Sequence, residues 1–307
     1  MPTLYASAFR AMGCQVNLWL ETDAEAAPLL NKAAARIADI EASLSRFRPE
    51  SELSRLNARL NTWTPVSETL LANVMAAKQG ARISGGLYNP LVLDALEGAG
   101  YDRSFDQIGD KVSPASASAP LPKWQAIDID VAGGQVCLPA RIDLGGVAKG
   151  WTAQQIAAEL GQWGACLVDI GGDMAASSAP SGSSGWPVEV ADPAFDGAPL
   201  LTLHLASGAV VTSGTDFRRW GPDRAQHHLI DPRTGLPAVT DVATVTIVHP
   251  QATTAEVYAK VVVMLGSDAG LEWLNEQWDG AGLVTRTDSA VLASARMNTY
   301  LAEGVRS

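Results

Sequence analysis

The chain has 307 residues, 47% hydrophobic and 18% charged, which suits one large domain or two ordinary ones and excludes global disorder. Acidic residues outnumber basic ones 33 to 22, for a net charge of −11. Repulsion from phosphate backbones therefore excludes general nucleic-acid or anionic-membrane binding, but not a nucleotide held at a local cationic spot. The three cysteines, Cys14, Cys137 and Cys166, are odd in number and far apart, so they read as small buried hydrophobes rather than a disulfide framework or zinc knot. No apolar run reaches the ~18 residues of a membrane span. Arg10 interrupts what would be the apolar part of a signal peptide. The expectation is a cytoplasmic protein without membrane insertion.

Residues 14–20 alternate, with Val16, Leu18 and Leu20 on one face of a strand. Residues 24–47 read as a helix with Ile37, Ile40 and Leu44 on one stripe, ended by Arg48-Pro49. Ser67 is placed to N-cap a second helix whose apolar face is Leu70, Leu71, Val74 and Met75, closed by Gly85-Gly86. Residues 113–122 and 177–185, rich in Ser, Ala, Gly and Pro, are low-complexity loops. Strands at 126–131 and 135–138 form a hairpin about Gly133-Gly134. A helix follows at 149–160, then a buried strand at 166–170 running into Gly171-Gly172. The C-terminal half carries strands at 188–191, 200–205, 209–212, 227–230 and 242–248, helices at 255–265 and 271–278, and a hairpin of 282–286 with 290–293. Strands outnumber helices and do not alternate with them. The fold class is α+β, with mixed, largely antiparallel sheets and packed helices.

Four segments could carry chemistry. In Asp143-Leu144-Gly145-Gly146-Val147-Ala148-Lys149-Gly150, two glycines lead into a helix start, where free N–H groups attract phosphate and Lys149 adds a point charge. Asp169-Ile170-Gly171-Gly172-Asp173 sets a double glycine after a buried strand, which permits close ligand approach. Between Thr212 and Gly235 lie hydroxyls, arginines, the pair His227-His228, and Asp231-Pro232, a concentration suited to proton transfer near neutral pH. Glu256 and Lys260 stand at i and i+4 on a helix that continues into the apolar run Val261 to Leu265. Such a pair is ordinarily a surface contact; the apolar flank argues for burial here. Gly-x-Ser-x-Gly and His-Glu-x-x-His are both absent.

Taken in order, the motifs resemble the ApbE family of flavin transferases from about Met12 to Leu265. The landmarks are Met12-Gly13, Ser45-Arg46-Phe47-Arg48-Pro49 continuing to Asn57, Gly86-Leu87-Tyr88-Asn89-Pro90, and the two glycine motifs above. Thr212-Ser213-Gly214 and His228-Leu229-Ile230-Asp231-Pro232-Arg233-Thr234-Gly235 complete the set. The resemblance implies one domain over residues 1–307, with room for two lobes. It implies an FAD:protein FMN transferase that cleaves FAD, attaches FMN to a Ser or Thr of a target flavoprotein, and releases AMP. The acceptor carries a Ser/Thr-Gly-Ala-Ser/Thr motif, and Mg2+ sits at the diphosphate. Carried over by position, Met12, Phe47, Leu87, Tyr88, Asn89, Asp143, Lys149, Leu229 and Ile230 contact FAD. His228 and Asp231 handle the acceptor proton, and the Gly146 carbonyl and Glu256 are metal ligands.

Two departures stand out. The family's late helix usually reads Ala-Asp-Ala-x-x-Thr, with Asp and Thr on magnesium. Here Glu256 replaces Asp and can still ligate a hard cation, whereas Lys260 replaces Thr and cannot while protonated. Asn89 and Leu91 stand where Asp and Thr are usual, losing a charge and a hydroxyl. Two neighbouring readings fit the same residues: an FAD pyrophosphatase, with water in place of the protein hydroxyl, and a non-catalytic FAD-binding member.

Overall fold

The computed structural model describes residues 2–108, 120–194 and 199–301. Part of the expected 113–122 loop lies outside them. The chain divides into two compact units: residues 1–38, 149–213 and 241–307 form the first, and residues 39–148 and 214–240 the second.

The first unit is built on an eight-stranded sheet in the order Thr3–Ala11, Cys14–Thr22, Ala165–Ile170, Asp173–Ala176, Gly208–Gly214, Val242–His249, Ala281–Arg286, Val291–Ala293. Antiparallel pairing joins the first five strands in succession and the last three likewise. The alternation at residues 14–20 does what its period predicts. Val16, Leu18 and Leu20 pair with Ile170, Val168 and Cys166, and all six side chains face one core with Leu30, Ile37, Ile156 and Leu160 from two helices. The opposite face, through Leu167, Val210, Val248 and Leu283, packs on Trp186, Val188, Leu203 and Leu205 of the hairpin Trp186–Ala191 with Pro199–Leu205. Both faces are thus covered, which explains why the strand opens on the continuous apolar run Ala165 to Val168. The helix Ala252–Leu265 packs on Val242–His249 and is buried along most of its length, Glu256 included.

The second unit holds the helices Glu52–Asn57, Glu68–Ile83 and Leu93–Gly98, and a small sheet in the order Thr64–Pro65, Gln135–Cys137, Asp128–Asp130. Ser67 caps its helix, its hydroxyl accepting the Leu70 N–H. The buried face of that helix differs from expectation: Leu70 and Val74 are buried, but Asn73, Ala77 and Ala81 complete the stripe, and Met75 is 42% exposed. Positions 70, 74, 77 and 81 follow the helical repeat, and Met75 falls outside that arc. The expected strand at 227–230 is also interrupted. Gln226–His227 pairs with Arg219–Trp220, while Ile230–Asp231 pairs with Leu236–Pro237. The break falls where the Leu229 N–H donates to His227 Nδ1 instead of a neighbouring strand.

The strand Thr3–Ala11 and the helices Glu52–Asn57 and Leu93–Gly98 have no counterpart in the sequence reading. Thr3–Ala11 is an edge strand with most of its side chains exposed, so it shows little apolar alternation.

Candidate functional site

Met12, Lys149, Glu256 and Lys260 belong to the first unit; Phe47, Leu87, Tyr88, Asn89, Asp143, Gly146, His228, Leu229, Ile230 and Asp231 belong to the second. Each unit therefore carries its own constellation.

In the first unit, Met12 and Gly13 both have positive φ and make the two-residue turn joining Ala11 to Cys14. Gly171 and Gly172, also at positive φ, turn the chain from Ala165–Ile170 into Asp173–Ala176. A Cβ on Gly171 would lie 2.7 Å from Cys14 Cβ, so only glycine lets the two turns approach. Asp169 fixes the second turn, accepting the Gly172 N–H at 2.8 Å and the Asn17 side-chain N–H at 3.0 Å. Asp173 leaves this turn with its side chain 2% exposed and forms an ion pair with Lys149, in the first turn of the helix Ala148–Leu160. One residue on, the Gly150 N–H donates to Glu256 Oε1 at 2.6 Å. Lys260 Nζ donates to the Glu256 carbonyl at 3.1 Å and lies 3.4 Å from its Oε2. Burial pushes the Glu256 carboxyl above its ordinary range and Asp173 adds to this, while Lys260, Lys149 and the Gly150 N–H pull it back.

In the second unit, Asn57 clamps the backbone before the glycine motif: its side-chain amide donates to the Ile142 carbonyl at 2.9 Å and accepts the Ile142 N–H at 2.8 Å. Asp143 follows. Its N–H donates to the Pro90 carbonyl, and its Oδ1 accepts the Gly145 N–H at 2.8 Å. Its Oδ2 lies 2.9 Å from Arg46 Nε. Arg46, its side chain 6% exposed, also donates to the Tyr101 carbonyl at 2.8 Å and lies over the rings of Phe47 and Tyr101 at 4.1 and 4.6 Å. Tyr101 continues the stack to Trp220 at 5.3 Å, and Trp220 Nε1 donates to the Ala99 carbonyl. Phe47 is the exposed end of this ladder. Tyr88 is buried; Leu87 and Asn89 are half-buried, Asn89 bridging the Leu91 N–H and the Pro122 carbonyl. The Gly146 carbonyl belongs to the turn just before Ala148.

Asp231 spends both carboxylate oxygens on Arg233, which donates from Nε and Nη2, with the Arg233 backbone N–H adding a third bond at 2.8 Å. His228 is half-buried, whereas Leu229 and Ile230 are buried, Ile230 in the core with Tyr101 and Trp220. His227, 3% exposed, donates from Nε2 to the Ala238 carbonyl while Nδ1 accepts the Leu229 N–H, an arrangement of the neutral ring. Burial pushes its imidazole below the ordinary value; the Ala238 bond partly opposes this, and Arg219 adds to it. The unfolded chain therefore binds a proton here that the folded chain resists. Stability is full above pH ~6.5 and falls below it with a slope approaching about 1.4 kcal/mol per pH unit. Urea denaturation at pH 7.5 and 5.5 checks this, and His227→Gln should flatten the difference.

The magnesium that the resemblance implies finds no matching donor set. Glu256 is occupied by Gly150 and Lys260, and Asp173 by Lys149. Among the described residues no group of three or more His, Cys, Asp or Glu side chains is placed to hold a metal ion. The residues present do not fit a resident divalent cation.

Several site residues were not singled out from sequence. Arg46 and Asn57 lie inside the motif from Ser45 to Asn57, but only tertiary structure shows that they hold Asp143 and Ile142. Tyr101 and Trp220 lie in segments with no local signal that they would stack.

No helix among the described residues is long and apolar enough to cross a membrane. The model of the ApbE family matches residues 12–284. A relative from Treponema pallidum, FAD:protein FMN transferase, is 30% identical over 92% of this chain and 84% of its own length. One of the same name from Haemophilus influenzae is 26% identical over 85% and 79%. The crystal structure of the ApbE protein of Thermotoga maritima is 25% identical and superposes with a TM-score of 0.88 over 98% of this chain and 100% of that one. The apo Pseudomonas stutzeri flavinyl transferase ApbE, 20% identical, shares the fold with a TM-score of 0.82 over 99% and 98%. The α+β architecture of antiparallel sheet and packed helices is the one these relatives have, and the chain belongs to the ApbE family.

Proposed function

We propose that this chain is an FAD:protein FMN transferase, moving FMN from FAD to a Ser or Thr hydroxyl of an acceptor protein with a Ser/Thr-Gly-Ala-Ser/Thr motif. The observation that carries the reading is the relative of that name, 30% identical along 92% of the chain. The local chemistry is compatible. The acceptor Oγ attacks the FMN phosphorus, the diphosphate bridge breaks, and AMP leaves. Charge that develops on the phosphate oxygens needs preorganised cations, and the Lys149 ammonium, held in place by Asp173, offers one. Asp143, held by Arg46 and the Gly145 N–H, is a fixed acceptor for the nucleotide. Phe47 offers an exposed ring for stacking, and Leu87, Tyr88 and Asn89 are the further flavin contacts that the motif order implies. Of the two candidates for the acceptor proton, Asp231 is committed to Arg233, so His228 takes it.

The test is a gel of the purified protein with FAD and an acceptor fragment, with and without magnesium. Flavin fluorescence is read on the denatured acceptor band and AMP in solution. The expected result is fluorescence that survives denaturation, with one AMP released per flavin attached. AMP without a labelled band would replace transfer by hydrolysis. FAD binding with neither product would reduce the chain to a flavin-binding protein.

A further inference from the structure

Lys149, Asp173, Glu256 and Lys260 of the first unit share one buried neighbourhood. The Asp173 and Glu256 side chains are each 2% exposed, and each has an ammonium group as partner. Two carboxylates and two ammonium groups leave the cluster with no net charge. A divalent ion entering it would meet carboxylates already neutralised and two like charges that cannot retreat to water without leaving their partners. The packing also commits Glu256. The Gly150 N–H fills one of its oxygens, and a Cβ on Gly150 would stand 2.7 Å from Glu256 Oε1 and 3.1 Å from the Ala252 carbonyl, so the helix start is pressed against the carboxylate. Lys260 Nζ has three donors; the Glu256 carbonyl and Oε2 take two, and a phosphate oxygen suits the third.

We propose that the protein supplies its own cations to the nucleotide diphosphate, Lys260 seated on Glu256 and Lys149 on Asp173, and that FAD binding requires no divalent metal. Glu256 then acts as a positioning residue for Lys260 and not as a metal ligand. The proposal rests on the flavin reading for its ligand; the exclusion of metal stands apart from it.

The experiment has two readouts. Mn2+ is titrated into the metal-stripped, FAD-free protein and followed by the paramagnetic resonance of free Mn2+. FAD affinity is measured from flavin fluorescence in EDTA and in magnesium. The wild type should retain no Mn2+, and its FAD affinity should change less than about twofold with magnesium, within the noise of a site without metal linkage. Lys260→Thr should lose about tenfold or more of FAD affinity in EDTA, the weight of one charge-assisted contact, and should gain a magnesium response. Lys260→Arg keeps the charge and should stay indifferent to magnesium, which separates loss of the cation from loss of folding. One equivalent of Mn2+ on the wild type, or FAD binding at least about tenfold tighter with magnesium, would overturn the proposal. No FAD affinity under any condition would refute the flavin reading, and the Mn2+ titration would still decide whether metal is excluded.

Discussion

Arg46→Ala is expected to lower the unfolding free energy by about 3–5 kcal/mol, the range for removing one partner of a buried ion pair. The guanidinium holds three things together: the Asp143 carboxylate, the Tyr101 carbonyl, and the faces of Phe47 and Tyr101. Its loss leaves Asp143 desolvated without its counter-charge and opens the stack that ends in Trp220. Arg46→Lys should recover little, since a single ammonium cannot bridge carboxylate and carbonyl while lying flat on two rings. Asp143→Asn in the Arg46→Ala background should recover a measurable part, because the amide is neutral. Urea denaturation of the three variants checks this. A loss below about 1 kcal/mol for Arg46→Ala would show the pair to be no stronger than a solvent-exposed one. FAD affinity should fall with stability, because the acceptor offered by Asp143 is aimed by Arg46.

Lys149→Met should have an effect of similar size on stability and a larger one on activity. Asp173 is the more deeply buried partner, so removing the ammonium strands a carboxylate beside a second buried carboxylate, Glu256. The expected loss is again about 3–5 kcal/mol. Asp173→Asn in the same chain should restore part of it, giving a coupling of about 0.5–3 kcal/mol in a double-mutant cycle. Flavin transfer should drop by roughly 10²–10³-fold, the usual consequence of losing one preorganised donor at a developing negative charge. The double variant separates the two roles: stability returns in part, whereas transfer stays lost because the cation is still missing. Recovery of transfer in Lys149→Met/Asp173→Asn would assign Lys149 a structural role alone.

Both predictions concern charges whose partners were hidden in the sequence. The alternation of Val16, Leu18 and Leu20 and the stripe of Ile37, Ile40 and Leu44 were legible because burial of one face writes itself into the local repeat. Ser67 and the Gly133-Gly134 turn were legible because caps and tight turns restrict residue type within a few positions. The glycine motifs were legible for the same reason: Gly171 and Gly172 turn the chain at positive φ.

Such local grammar stops at pairing. Glu256 and Lys260 could be matched from their spacing, and the apolar run after them argued for burial; the packing of Ala252–Leu265 on the sheet buries Glu256 and leaves Lys260 only partly exposed. Met75 went the other way, apolar by composition and exposed because it falls outside the buried arc. Arg46 with Asp143, Asn57 with Ile142 and Lys149 with Asp173 are brought together only when distant segments close on one another. By itself, then, the sequence determined the strands and helices with a buried face, the turns that need glycine, and the order of motifs that marks the family. The tertiary structure alone decided which distant charges neutralise each other, Arg46 with Asp143 and Lys149 with Asp173, because pairing between separated segments depends on three-dimensional proximity and desolvation, and neither leaves a periodic trace along the chain.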